Sequence, residues 1–217
     1  MNDDPSAGGS HLELVRHYEA CLARHGDTHR GVDWPNPEDA ARRYRVMLDI
    51  LDRRPVPARP VVLDIGCGAG HLLEFARSQG RDIGYLGIDL SARFVELCRR
   101  KFPGETFLQL DVLASPLGSP RGDFAIANGL FTEKLTLSWD TMWEFVRRMI
   151  RALFAMAGSG LAFNVMSSHV DWQRDDLFHL PCDTLAAFLR AEVSRHYVFR
   201  ADYGLHEYTA YVFREAV

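Results

Sequence analysis

Three aspartates, Asp64, Asp89 and Asp111, each stand at the end of a short apolar run, where a carboxylate can accept hydrogen bonds from a ligand. After Asp64 comes the turn Ile65-Gly66-Cys67-Gly68-Ala69-Gly70, and then a helix opening, His71-Leu72-Leu73. Glycine at three alternate positions removes the side chains that would keep a ligand off the backbone. A helix starting behind such a turn points its free N–H groups into the same space. A carboxylate at Asp89, after Gly87-Ile88, can bind both hydroxyls of a ribose, and one at Asp111, after Leu108-Gln109-Leu110, can receive the exocyclic amine of adenine. Val112 and Leu113 offer one apolar wall for a base, and Leu90 covers the other face. Any one of these aspartates could instead cap a helix, as Asp89-Leu90-Ser91 would, but the set of three around a glycine turn reads as a nucleoside site.

The elements needed to position these groups are legible in the hydrophobic pattern. Apolar runs of strand length are expected at residues 61–65, 83–88, 106–110, 123–127 and 161–166, the first with no alternation and therefore buried on both faces. Helices fall between them at 71–78, 92–102 and 139–157, and a further one at 183–193. Strand–helix alternation of this kind gives a parallel sheet with right-handed crossovers. The segments 196–203 and 207–214 are aromatic-rich and joined by a short turn with Gly204, which predicts an antiparallel hairpin. Ahead of the sheet, Leu14, Val15, Tyr18, Cys21 and Leu22 recur at helical spacing over 11–25. A second helix starts at Asn36-Pro37-Glu38-Asp39, with Asn36 as N-cap and proline at the first position, and runs to about residue 53. The expected architecture is an α/β, doubly wound, mostly parallel seven-stranded sheet ending in a hairpin. It comprises a disordered start (1–10), an N-terminal helical lid (11–54) and a single ligand-binding domain (55–217).

Composition narrows the partners. With 217 residues, 47% hydrophobic, the chain fills one core rather than two. A net charge of -4 provides no basic footprint for nucleic acid. Four separated cysteines form no CxxC pair, so neither a disulfide framework nor a metal site is expected. No apolar stretch has the length of a membrane span and no apolar leader follows Met1, which predicts a cytoplasmic protein without membrane attachment.

At this point the chain resembles the class I S-adenosylmethionine-dependent methyltransferases. Asp64-Ile65-Gly66-Cys67-Gly68-Ala69-Gly70 is similar to their acid-x-Gly-x-Gly-x-Gly motif, Gly87-Ile88-Asp89 to their second-strand acid, and Asp111-Val112 to their adenine-contacting segment. Asp123-Phe124-Ala125-Ile126-Ala127-Asn128 resembles the fourth strand with its polar end, and the resemblance extends over residues 61–217. It implies S-adenosylmethionine as cofactor. The turn residues Gly66, Cys67, Gly68 and Gly70 would lie against its methionine and ribose portions, Asp64 would hold its ammonium, and Arg43 would meet its carboxylate. Asp89, Leu90, Asp111, Val112 and Asn128 complete the cofactor set. A nicotinamide-dependent oxidoreductase shares the strand–turn–acid plan, but would space its glycines as G-x-G-x-x-G. An acid facing a pyrophosphate would also repel it, whereas facing an ammonium it attracts. Aminopropyl transfer would want more acids for a polyamine than Asn128-Gly129-Leu130-Phe131 offers.

Methyl transfer from a sulfonium needs alignment and exclusion of water, and a base only where the acceptor must lose a proton. Asn128, at the end of the fourth strand, either orients an acceptor or caps a turn. His169 and His179, in the polar loop after the fifth strand, are the candidate bases, with surface or capping histidine as the alternative. His169, Asp171 and His179 have no diagnostic metal spacing, and no metal is expected. Tyr18, Trp34, Tyr44, Phe131 and Asn164 are the candidate substrate contacts. The acceptor expected from this set is a small polar metabolite methylated on oxygen; similarity to small bacterial methyltransferases points to a sugar or secondary-metabolite hydroxyl. A protein acceptor, or a non-catalytic binding subunit, would be the alternative, although the intact glycines and acids favour an enzyme. The sequence leaves the oligomeric state open.

Overall fold

The computed structural model describes residues 7–114 and 120–217, with side chains described from residue 13 onward. Helix α1 (Ala7–His25) leads through a 3-10 turn, His29–Val32, into α2 (Pro37–Leu48) and a second 3-10 turn, Asp49–Asp52. Asn36 caps α2 as expected, its side chain accepting from the Glu38 N–H at 2.8 Å, with Pro37 at the first turn. One boundary needs correction: α1 begins at Ala7, so residues 7–10 of the expected disordered start are helical, while residues 1–6 lie outside the described part.

Strands β1 (Val61–Ile65), β2 (Gly84–Asp89), β3 (Thr106–Gln109), β4 (Gly122–Phe131) and β5 (Ala157–Ser167) pair in parallel. Between them run α3 (His71–Ser78), α4 (Ala92–Lys101) and α5 (Trp139–Met156). A two-residue strand β6 (His179–Leu180), absent from the expected set, pairs with β5, and α6 (Cys182–Glu192) follows it. The chain closes with β7 (His196–Arg200) and β8 (Glu207–Phe213), an antiparallel hairpin whose second strand inserts beside β5. The sheet order is β3-β2-β1-β4-β5-β8-β7, eight strands with β6 counted, one more than predicted. The order of strand addition reverses between the parallel neighbours β1 and β4, the switch point beside which ligands bind in open α/β sheets.

Both faces of the sheet are covered. Along β4, Phe124 and Ile126 join a core with α2, α3 and α4, while Ala125 and Ala127 join the core under α5 and α6. That two-sided burial explains why the central strands read as unbroken apolar runs. Helix α5 buries Met142, Val146, Met149, Ile150 and Leu153, the spacing of one helical face, and passes into β5 without a loop.

Gly70 sets the junction of β1 and α3. It holds φ 74°, and a Cβ there would stand 2.7 Å from Phe102 and 3.3 Å from the Cys98 sulfur. It does not line the pocket described below, so its glycine serves backbone and packing rather than ligand access, contrary to the sequence reading. Gly70→Ala should therefore cost on the order of 2–3 kcal/mol of stability, from left-handed strain and overpacking. A lowered urea midpoint is the expected result; an unchanged midpoint with lost cofactor affinity would return Gly70 to the ligand site.

Candidate active site

The glycine turn is held by the strand beside it. The N–H groups of Gly66 and Cys67 donate to the Ile88 carbonyl at 2.8 and 3.1 Å, and the Gly68 N–H donates to Asp89 Oδ2 at 2.9 Å. Asp89 Oδ1 accepts from the Ser91 N–H at 2.8 Å, while Ser91 itself caps α4. The Asp89 carboxylate thus locks turn to strand and still lines the pocket. Burial raises its pKa, against the lowering effect of these N–H donors.

Asp64 is 3% exposed and accepts from the Tyr85 hydroxyl at 2.6 Å. Burial, reinforced by the charge of Asp89 and opposed by the Tyr85 hydrogen bond, pushes its pKa up to about 7. Asp111 is turned in by its own loop, accepting from the N–H groups of Leu113 and Ala114 at 2.9 and 3.3 Å. All three strand-end aspartates line one cavity together with Gly66, Cys67 and Gly68, and Leu90, Val112 and Asn128 lie along its walls. The Asn128 Oδ1 is buried and has no hydrogen-bond partner among the described residues, an acceptor left for a ligand donor.

The N-terminal segment supplies part of the wall of this cavity. Tyr18 of α1, Trp34 of the connecting loop and Tyr44 of α2 all line it. Trp34 is fixed by a chain of contacts running through the sheet. The Arg43 guanidinium lies 4.1 Å over the indole and donates from Nε to both oxygens of Glu207 at 3.0 and 2.9 Å. Glu207 Oε1 in turn accepts from Asn164 Nδ2 at 3.0 Å, and Asn164 Oδ1 accepts from the Gly129 N–H at 2.7 Å. Gly129, at φ 79°, closes the circuit: a Cβ there would lie 2.6 Å from the Trp34 ring. Within the same N-terminal segment, His17 meets Asp33 at 2.7 Å, with the Cys21 sulfur 3.9 Å from His17 Nε2. These three residues bring ligand-type atoms within 4.8 Å of one another, and their hydrogen bond ties α1 to the turn that carries Trp34.

Several expected site residues are elsewhere. Arg43 does not line the cavity because Glu207 holds it. Phe131 is fully buried core, and Asn164, also fully buried, spends both ends of its amide on the Gly129–Glu207 circuit. His169 is exposed and outside the cavity. His179, in β6, uses both ring nitrogens on backbone, with Nδ1 2.7 Å from the Ser167 carbonyl and Nε2 accepting from the Arg174 N–H at 3.4 Å. Nor are His169, Asp171 and His179 gathered as a metal-type group among the described residues. His71, Ser91 and Glu133 also line the cavity without having been singled out as site residues; the segment 129–134 was expected to border the transferred methyl, and Glu133 reaches the cavity just past β4, which runs four residues beyond its expected end at Ala127.

The described lining thus holds four carboxylic acids and no lysine or arginine. Such a cavity repels phosphates and suits a ligand carrying positive charge beside a nucleoside, which S-adenosylmethionine does with its sulfonium and ammonium. A doubly wound sheet with this strand order, glycine turn and acid series defines a nucleoside-binding transferase of the methyltransferase type. The model of a methyltransferase domain matches residues 62–155. A methyltransferase-named protein of Mycobacterium tuberculosis is 30% identical over 152 residues, 69% of this chain and 90% of that protein. Trans-aconitate 2-methyltransferase of Methylobacterium nodulans is 36% identical over 91 residues, 42% of this chain, which spans only 35% of that enzyme. Magnesium protoporphyrin IX methyltransferase from Synechocystis PCC 6803 with bound S-adenosylhomocysteine shares the fold, with TM-score 0.63 at 14% identity over 94% of this chain and 99% of that one. The chain belongs to the class I S-adenosylmethionine-dependent methyltransferases.

Arg43→Ala should destabilise the fold by about 3 kcal/mol, because it leaves a buried Glu207 carboxylate without its cation. Adding Glu207→Gln should recover much of that loss in urea unfolding. Strictly additive losses in the double variant would show that the pair does not carry the circuit.

Proposed function

We propose that this methyltransferase acts on a small polar metabolite held in the cavity that the N-terminal segment helps to wall, in the cytoplasm, and not on nucleic acid, protein or a membrane-bound acceptor. The observation that carries this reading is the N-terminal lining, since Tyr18, Trp34 and Tyr44 stand in the wall of the same cavity as Asp64, Asp89 and Asn128. A long polymer would need an open groove, and a nucleic acid would also need a basic surface that a chain of net charge -4 does not offer. No described helix is long and apolar enough to cross a membrane. The names of the relatives that act on trans-aconitate and on protoporphyrin are compatible with a compact acceptor.

Within this reading the chain's own residues do three things. Asp64 and Asp89 set a negative field at the cofactor end, the glycine turn lets the ligand approach the backbone, and the aromatic N-terminal lining excludes water from the transfer. The cofactor supplies the activated methyl group. One support for an oxygen acceptor, His169 as base, falls away because His169 lies outside the cavity.

Two measurements test the proposal. S-adenosylhomocysteine should bind in calorimetric titration while NAD does not, and Asp89→Ala should weaken that binding by about 1.5–3 kcal/mol, roughly tenfold to a hundredfold. With methyl-labelled cofactor and a cell extract, label should appear in the small-molecule filtrate. Label retained on protein or nucleic acid would overturn the acceptor class.

A further inference from the structure

We infer that the acceptor is a small amine and that Glu133 receives its proton; the inference rests on the small-molecule reading above. Of the four acids lining the cavity, three have their carboxylates engaged at the cofactor end, Asp64 with Tyr85, Asp89 with Gly68 and Ser91, and Asp111 with its own loop. Glu133 differs. It is half-buried, stands just past β4 near Tyr18, and, although its backbone bridges to Leu177, its carboxylate has no hydrogen-bond or ion-pair partner among the described residues. The basic side chains whose charge acts on it are already engaged: Arg174 donates to Asp176 at 2.9 Å, and His17 is paired with Asp33. Burial comes first in raising the Glu133 pKa, Asp176 and Asp33 add to it, and Arg174 and His17 only partly offset them.

An uncompensated carboxylate in an acid-lined cavity sorts acceptors by charge. A carboxylic acid acceptor would bring another negative charge to a site whose described lining has no lysine or arginine to meet it. An alkyl hydroxyl gains nothing from the field, and its proton is far too tightly held for a carboxylate to remove efficiently. An ammonium, with a pKa of about 10 for a lysine-like amine, is attracted by the field and lies much closer to Glu133 in acidity, as efficient proton transfer requires. The acceptor enters as the ammonium, and one N–H proton passes to a Glu133 carboxylate oxygen. The freed nitrogen pair then forms the N–C bond to the methyl carbon while the C–S bond breaks and its electron pair stays on sulfur. The products are S-adenosylhomocysteine and the methylated ammonium, and Glu133 returns its proton to solvent. Asn128 Oδ1, unpartnered at the same end of β4, is placed to accept a remaining N–H.

The test uses the full chain, methyl-labelled S-adenosylmethionine and the small-molecule fraction of a bacterial extract as acceptor source. Labelled product is separated by ion exchange at neutral and at strongly alkaline pH. Label held on a cation exchanger and released when amines deprotonate is the expected result. Label in anionic or uncharged products, or no label in any amine while S-adenosylhomocysteine still binds, overturns the inference; failure to bind S-adenosylhomocysteine would instead sink the methyltransferase reading beneath it. With the labelled amine isolated, Glu133→Gln should lower kcat/KM by about 10²–10⁴-fold. Its S-adenosylhomocysteine affinity and urea midpoint should match the parent, and Glu133→Asp should recover part of the rate. A Glu133→Gln variant with parental kcat/KM overturns the assignment of Glu133.

Discussion

A carboxylate buried at a strand end is unfavourable unless N–H donors or a cation meet it, and this chain buries two within electrostatic reach of each other. Asp89 is met by backbone, two N–H groups that fasten the glycine turn to β2 and the start of α4. Asp64 has the Tyr85 hydroxyl, which is too little to keep it ionised at ordinary carboxylate pH. A folded-state pKa raised to about 7 makes the native state hold the Asp64 proton more tightly than the unfolded chain does. Stability from this group is therefore full below the unfolded pKa near 4 and is lost as pH rises toward 7. The fold tolerates that loss at the place where a positively charged cofactor would reverse it, the usual location of such costs.

The placement of Trp34 depends on a second buried charge that is fully met. Glu207, 2% exposed, lies on β8 and joins Arg43 of α2 to Asn164 of β5, and through Asn164 to the turn after Asn128. The terminal hairpin is thereby part of the site although it lines none of it. It fixes Arg43, which fixes Trp34, which packs on Gly129. A shift of the N-terminal segment would be felt at Asn128 through contacts rather than through the loop sequence alone. This coupling is why Arg43, a free cation in the sequence, is unavailable for a ligand carboxylate.

Much of this was legible in the chain. The helix 71–78 has the predicted limits, and strand β1 likewise, because both are decided locally by an apolar run, a glycine turn and a periodic face. Asp64, Asp89 and Asp111 could be assigned to one cavity because strand-end positions in a parallel sheet converge by topology. What could not be read was pairing between distant residues. Nothing near Arg43 announces Glu207, and nothing near Asn164 announces Gly129. His179 failed as a base for a related reason: β6 is two residues long, too short to leave a pattern, yet it turns both imidazole nitrogens toward backbone. The segment carrying Glu133 was placed beside the reacting methyl, but the length of β4 was not legible, since its last residues depend on pairing with β5 rather than on their own sequence.

The central claim is that the Asp64–Asp89 end of the cavity is built for positive charge, and proton counting tests it most directly. Titrating S-adenosylmethionine calorimetrically at roughly pH 6.5, in buffers of different ionisation enthalpy, keeps the ligand's α-amino group charged while much of Asp64 is still protonated. Binding should then release a fraction of a proton as the ligand's charge draws the Asp64 pKa down, and the release should vanish in Asp64→Asn. Binding without proton release, or the same release from the Asp64→Asn variant, would contradict the account.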